Sequence, residues 1–325
     1  MKLNIRQLKG RGAALADGNR DRTRGLVLLY CGVIAALTLV SSGLNLFLND
    51  RISGTGGLDG LGLRSALQTA QELLTYVNLV FEPFWSAGFL AAMIAMVRGR
   101  EPEKYHLAEG FRRFGKILAY IAVQFLVAVA LMVIAANLGA TIFSLTPMGA
   151  QYAEVMGPVL SAPGLISAEG VVNWELMPMD IFLEATAPVI LVILAIFALL
   201  YSCVSYCFRL TVYLIMTQPI SAVRAHFLST RLMRGHKWQM LKMDLSFWWY
   251  YLLRGAASVV AYLDVILSLL GIPVPIDPVV MFFGTLAAYC VLFTVLCLWK
   301  KCPVDASYVL AFEAIANPEP VETVE

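Results

Sequence analysis

The stretch ILAYIAVQFLVAVALMVIAANLGATIFSL, residues 117–145, runs for 29 positions without a charged side chain. The hydrocarbon core of a bilayer is ~30 Å thick, and a helix crosses it with about twenty apolar residues. The stretch therefore reads as a transmembrane helix. The same signature recurs on either side of it. Apolar blocks cover residues 26–48 and 73–97 before it, and 188–216, 245–272 and 279–299 after it. Six spans are expected. Pro83 lies inside the second and predicts a kink there. As a straight helix the fourth would rise ~43 Å, so it should tilt or project from the membrane.

The breaks between blocks carry turn chemistry. Residues 54–60 are glycine-rich, and Pro147, Pro158, Pro163 and Pro178 exclude one continuous helix across residues 146–187. Composition agrees: of 325 residues, 59% are hydrophobic and only 14% charged, and mean hydropathy is +0.75. A soluble domain carries about a quarter charged residues, so this chain lacks the charge to coat an aqueous core. The expected fold class is all-α: a polytopic membrane bundle with amphipathic connecting helices on the cytoplasmic side. Residues 1–24 are polar and basic and the following apolar run is long, so an uncleaved first span is expected rather than a signal peptide.

Orientation follows from where the cations fall. Seven Lys and Arg precede the first span, between Lys2 and Arg24. The connector at 98–116 carries Arg98, Arg100, Lys104, Arg112, Arg113 and Lys116. The connector at 217–242 carries Arg224, Arg231, Arg234, Lys237 and Lys242, and Lys300 and Lys301 follow the sixth block. The intervening segment 146–187 has no Lys or Arg. Both chain ends are thus expected in the cytoplasm. The domain scheme is a basic segment at 1–25, a six-helix membrane domain at 26–302, and a cytoplasmic tail at 303–325. The order of basic segment, span, outside loop and span occurs three times, which suggests three helical hairpins, each preceded by a surface helix.

Catalytic patterns are missing from the sequence. There is no His-Glu-x-x-His, no phosphate-binding Gly-x-x-x-x-Gly-Lys-Ser/Thr loop and no Gly-x-Ser-x-Gly elbow. The six cysteines lie within or beside apolar blocks, so packing explains them better than a disulfide framework or a metal pair. In residues 222–234, Val223, Phe227, Leu228 and Leu232 recur at helical spacing, with Arg224, Arg231 and Arg234 expected largely on another face. That is the pattern of a helix lying on a membrane surface. His236, Lys237 and Trp238 continue it, and Arg112 and Arg113 belong to a shorter analogue near residues 105–114. Aromatics at 238 and 247–251 fit an interfacial belt. Ionisable residues inside spans form the second lead, because a charge at mid-membrane costs roughly 2.5–3.5 kcal/mol on insertion scales. Glu82, Arg254 and Asp264 stand out, with Glu82 the expected partner of Arg254. Arg209, near the end of its block, is expected to reach back to the interface.

Several short stretches resemble a bacterial membrane family catalogued as domain of unknown function 975. The strongest is Ser229-Thr230-Arg231-Leu232-Met233-Arg234-Gly235-His236-Lys237-Trp238, followed by Asp244-Leu245-Ser246-Phe247. Arg98-Gly99, Gly110-Phe111-Arg112-Arg113-Phe114, Pro303-Val304-Asp305-Ala306 and Ala311-Phe312-Glu313 resemble further family segments. The chain departs from the pattern at Trp248-Trp249, where the family usually carries Gly-Trp shortly after Ser-Phe. The resemblance implies a bacterial cell membrane and no established activity. The expectation is a non-enzymatic scaffold or accessory subunit, without a cofactor or nucleic-acid partner, whose basic inner helices meet anionic lipid headgroups or a cytoplasmic protein. The alternative is a small-solute or lipid-handling permease with a path near Glu82, Arg254 and Asp264.

Overall fold

A computed structural model describes residues 3–54, 61–161, 179–263, 266–267 and 277–317, and every regular element among them is helical. Contacts divide the chain into two compact units, Met1–Ile121 with Arg209–Glu325, and Ala122–Phe208. Among the described residues five stretches are long and apolar enough to cross a membrane: Arg20–Leu48, Val80–Val97, Phe114–Ser144, Thr186–Thr217 and Val279–Ala316. The sixth expected span, 245–272, lies partly outside the described residues. Large apolar side chains point outward along these helices, among them Phe125, Leu126, Leu191 and Leu199. So much exposed apolar surface suits lipid, not water.

The first unit opens with α1 (Ile5–Gly18), whose N-terminus is capped by the Asn4 side chain accepting from Gln7 N. Helices α2 (Arg20–Gly54) and α3 (Leu61–Val97) pack together as the first hairpin. Helix α3 stops at Gly99, which adopts φ 73°. Gly99 N donates to Met96 O and Arg100 N to Ala95 O, closing the exposed carbonyls of the last turn. The Arg-Gly pair is therefore a helix stop. A 3-10 turn (Lys104–Ala108) and α4 (Glu109–Arg112) then fold back on α3. Gly88 and Gly110 permit this, since a Cβ on Gly110 would overlap the Phe84 carbonyl and one on Gly88 that of Leu107. Phe84 stacks on both Phe111 and Phe114, with ring centroids 5.4 and 4.9 Å apart. The Gly-Phe-x-x-Phe segment is thus a packing motif on α3.

The second unit takes most of α5 (Phe114–Ser144), α6 (Pro147–Leu160) and α7 (Met179–Phe208). Thr146 caps α6 and Pro147 opens it, where a missing N–H costs nothing. A Cβ on Gly139 would lie 2.6 Å from Ile193 Cγ1, so α5 and α7 approach closely at that glycine.

The first unit resumes with α8 (Thr211–Thr217), α9 (Ala222–Leu232), α10 (Lys237–Ser246) and α11 (Trp248–Ala261). Helix α12 (Pro278–Leu296) packs on α11 and α2. A π-helical turn, Cys297–Lys301, joins it to α13 (Cys302–Ala316). Most of residues 303–325, the expected tail, belongs to α13, which packs as a core helix against α1 and α3. Val304, Ala306, Ser307, Val309 and Ala311 are at most 1% exposed. Gly12 lies so close to α13 that a Cβ would overlap Ser307. Helix α13 is apolar nearly all round, the composition of a helix enclosed by protein. Residues 318–325, where the end of the tail was expected, lie outside the described residues.

Candidate functional site

Helix α9 starts at Ser221, whose hydroxyl accepts from Arg224 N. Its inner face is built from Ala222, Ala225, His226 and Ser229, which let it pack closely against α8. Ser229 Oγ accepts from Leu210 N at 3.2 Å. This corrects the expected division of faces. Val223 and Phe227 stand outward, on the same side as exposed Arg224, Arg231 and Arg234. Phe227 is 74% exposed. The chain turns at Gly235, φ 84°, into α10. Met240 and Met243 anchor α10, while Lys237, Lys242 and Trp238 remain outside. Trp238 is 64% exposed, with Lys242 Nζ 5.9 Å from its ring. His236 is half-buried, its Nδ1 3.1 Å from Gln239 Oε1.

The shorter analogue behaves differently. Arg112 is exposed and pairs with Glu109 at 2.6 Å. Arg113 is half-buried and donates from Nη1 to the Ile215 carbonyl in the last turn of α8. It acts as a strut at a helix C-terminus, where a cation is favoured.

The intramembrane candidates are not brought together as expected. Among the described residues no ion pair joins Glu82 to Arg254. Glu82 is exposed, and Asp264 lies outside the described residues. Arg254 instead places its guanidinium 5.5 Å from the Phe293 ring. Arg209 makes a two-pronged ion pair with Asp244 of α10, with Nη2 to Oδ1 at 2.6 Å. The Tyr308 hydroxyl also donates to Asp244 Oδ1, and Tyr251 donates to Tyr308 at 2.9 Å. One turn earlier on the same helix, Lys301 pairs with Asp305 at 2.9 Å. The Lys301 ammonium lies 4.7 Å from the Tyr30 ring and 4.5 Å from that of Phe89. Arg209, Arg254, Lys301, Asp305, Tyr250 and Tyr308 are among the residues lining one cavity of about 300 Å³.

Sequence reading missed Asp244, Lys301, Asp305 and Tyr308 as members of a site. One signal was available: Lys301 and Asp305 sit four apart, the spacing of a same-face pair on a helix. The Asp244 contact had no such signal, since it joins residues 35 and 64 positions away in sequence.

A family model described as a protein of unknown function (DUF975) matches residues 18–273. The chain belongs to this family. No curated protein matches it, and no solved structure does. The family region holds Arg209, Asp244, Tyr250 and Arg254, whereas Lys301, Asp305 and Tyr308 come from beyond it, on the π turn and α13.

Proposed function

We propose that this family member is a non-enzymatic multi-pass protein of the bacterial cell membrane, with both ends in the cytoplasm. In this reading it is a scaffold or accessory subunit whose helices α9 and α10 rest on anionic lipid headgroups. The observation that carries the reading is the outward face itself. Phe227 and Trp238 stand exposed among Arg224, Arg231, Arg234, Lys237 and Lys242. Exposed aromatics gain free energy by entering the interface, and each nearby cation adds about 1 kcal/mol at an anionic surface. The bias of Lys and Arg toward the same connectors supports the cytoplasmic orientation.

Native mass spectrometry of the protein released from mixed phosphatidylglycerol and phosphatidylcholine membranes tests the reading. Phosphatidylglycerol should be retained preferentially. Retention should fall several-fold in an R231Q/R234Q/K237Q variant, and in wild type as salt rises. Unchanged retention would remove the lipid reading, and release of a co-purifying cytoplasmic protein by the variant would replace it with a protein-docking one. The cavity beside Arg254 favours a second reading, a small-solute or lipid-handling permease, which predicts flux in vesicles that R254Q abolishes while the protein stays folded.

A further inference from the structure

The cavity between α3, α11, the π turn and α13 holds more positive than negative charge. Three cations line it, Arg209, Arg254 and Lys301. Two carboxylates answer them: Asp244 binds Arg209 and Asp305 binds Lys301. Among the described residues Arg254 has no carboxylate within ion-pair distance. It is half-buried within α11, and among the described residues its guanidinium meets the Phe293 ring but no hydrogen-bond acceptor or carboxylate. Tyr250 is buried on the same helix, and its hydroxyl has no hydrogen-bond partner among the described residues. A guanidinium carries five N–H donors in a planar fork, and an enclosed cation without a counter-charge is costly. Lys301 gives one N–H to Asp305 and has two more.

We infer that this cavity binds one phosphate group, held by the Arg254 guanidinium with the Tyr250 hydroxyl and the Lys301 ammonium as further donors. Phosphate suits the site because it combines negative charge with several acceptor oxygens, where a carboxylate has two, and arginine engages it through paired N–H bonds. A volume of about 300 Å³ admits a phosphate headgroup or a small phosphate-bearing molecule. The π turn contributes by setting Lys301 at the cavity wall, against Asp305, Tyr30 and Phe89. Such local widenings of a helix recur at functional sites. The inference does not depend on the outward face of α9 and α10, and it gives the permease reading a ligand class.

The test uses full-length protein in detergent, stripped of phospholipid. Phenylglyoxal modifies accessible guanidinium groups, and peptide mass spectrometry reads the labelling rates of Arg254 and Arg224 separately. The probes are inorganic phosphate and short-chain phosphatidylglycerol, with chloride at matched ionic strength and short-chain diacylglycerol as controls. A bound phosphate should slow labelling of Arg254 several-fold and saturably while leaving Arg224 unchanged. Protection by inorganic phosphate means that the free ion suffices; protection by phosphatidylglycerol alone identifies a lipid headgroup. Protection by neither probe, or equal protection by diacylglycerol, overturns the inference. R254Q should weaken the thermal stabilisation by the active probe roughly tenfold in apparent affinity, and R254K should restore part of it. In R231Q/R234Q/K237Q, Arg254 protection should persist even when surface lipid is lost, so the two readings fail separately.

Discussion

Asp244 accepts from both Arg209 and Tyr308, so one carboxylate ties the residue just ahead of α8 to α10 and α13. Removing one partner of an enclosed ion pair leaves the other charge uncompensated, which costs about 3 kcal/mol or more. Asp244→Asn should therefore lower the thermal midpoint substantially in detergent, whereas Glu109→Gln, which breaks an exposed pair, should change it little. Gly110 offers a steric counterpart. A Cβ there meets the Phe84 backbone, which cannot swing aside, so Gly110→Ala should cost about 1–3 kcal/mol. Gly10→Ala, with open space around its Cβ, is the control in the same unfolding assay. His226 introduces pH dependence. Burial on α9 pulls its pKa below the ordinary 6.5, and the hydrogen bond to the Ala222 carbonyl offsets this only in part. The unfolded chain then binds the proton more readily than the folded one, so stability is complete above pH ~7 and falls as pH drops through 6.5. His226→Gln should flatten that slope between pH 7.5 and 5.5.

At the scale of elements, the long apolar helices were legible because nothing but lipid exposure requires such runs. Helix α13 was not. Its apolar positions are too few to span a membrane, and a hydropathy profile does not distinguish burial in protein from burial in lipid. The clue was Gly12 against Ser307, a contact 295 positions apart, and such contacts leave no local pattern. Helix α9 shows a different failure. Helical spacing correctly placed a helix at 222–232, but Val223 and Phe227 were expected on a different face from the arginines and share theirs. The buried face carries Ala222, Ala225, His226 and Ser229, mostly small residues that permit close backbone approach. Gly12→Leu should accordingly separate α1 from α13, destabilise the fold by about 1–3 kcal/mol, and make residues 5–18 newly sensitive to protease.

Across the whole molecule, hydropathy alone conveyed the all-α membrane architecture, while the site was only half legible. Arg254 stood out because a charge interrupts an apolar block, yet its surroundings come from three other parts of the chain. Glu82 was assigned to it by sign and depth, and the geometry supplies an aromatic ring instead. Pairing between helices follows no fixed interval, so a carboxylate elsewhere in the sequence could not be matched to its cation without coordinates. The aromatic residues near 247–251 were read as an interfacial belt. They divide into exposed Trp248 and Trp249 and a buried Tyr250 on the cavity wall, a division that follows from helical rotation once the packing is fixed.

The π turn at Cys297–Lys301 works as a phase shifter between two halves of a long rod. Before it, the rod presents Val291, Leu292 and Val295 outward; after it, α13 is enclosed. One surplus residue in that turn sets the angle at which the second half meets the first. Removing it would restore the ordinary repeat and rotate everything downstream by about 100°. Ser307 would swing away from Gly12, and Glu313 would leave Arg98, whose Nε now lies 2.7 Å from its carboxylate. A single-residue deletion there should thus disturb the fold more than any one side-chain replacement in the same five positions.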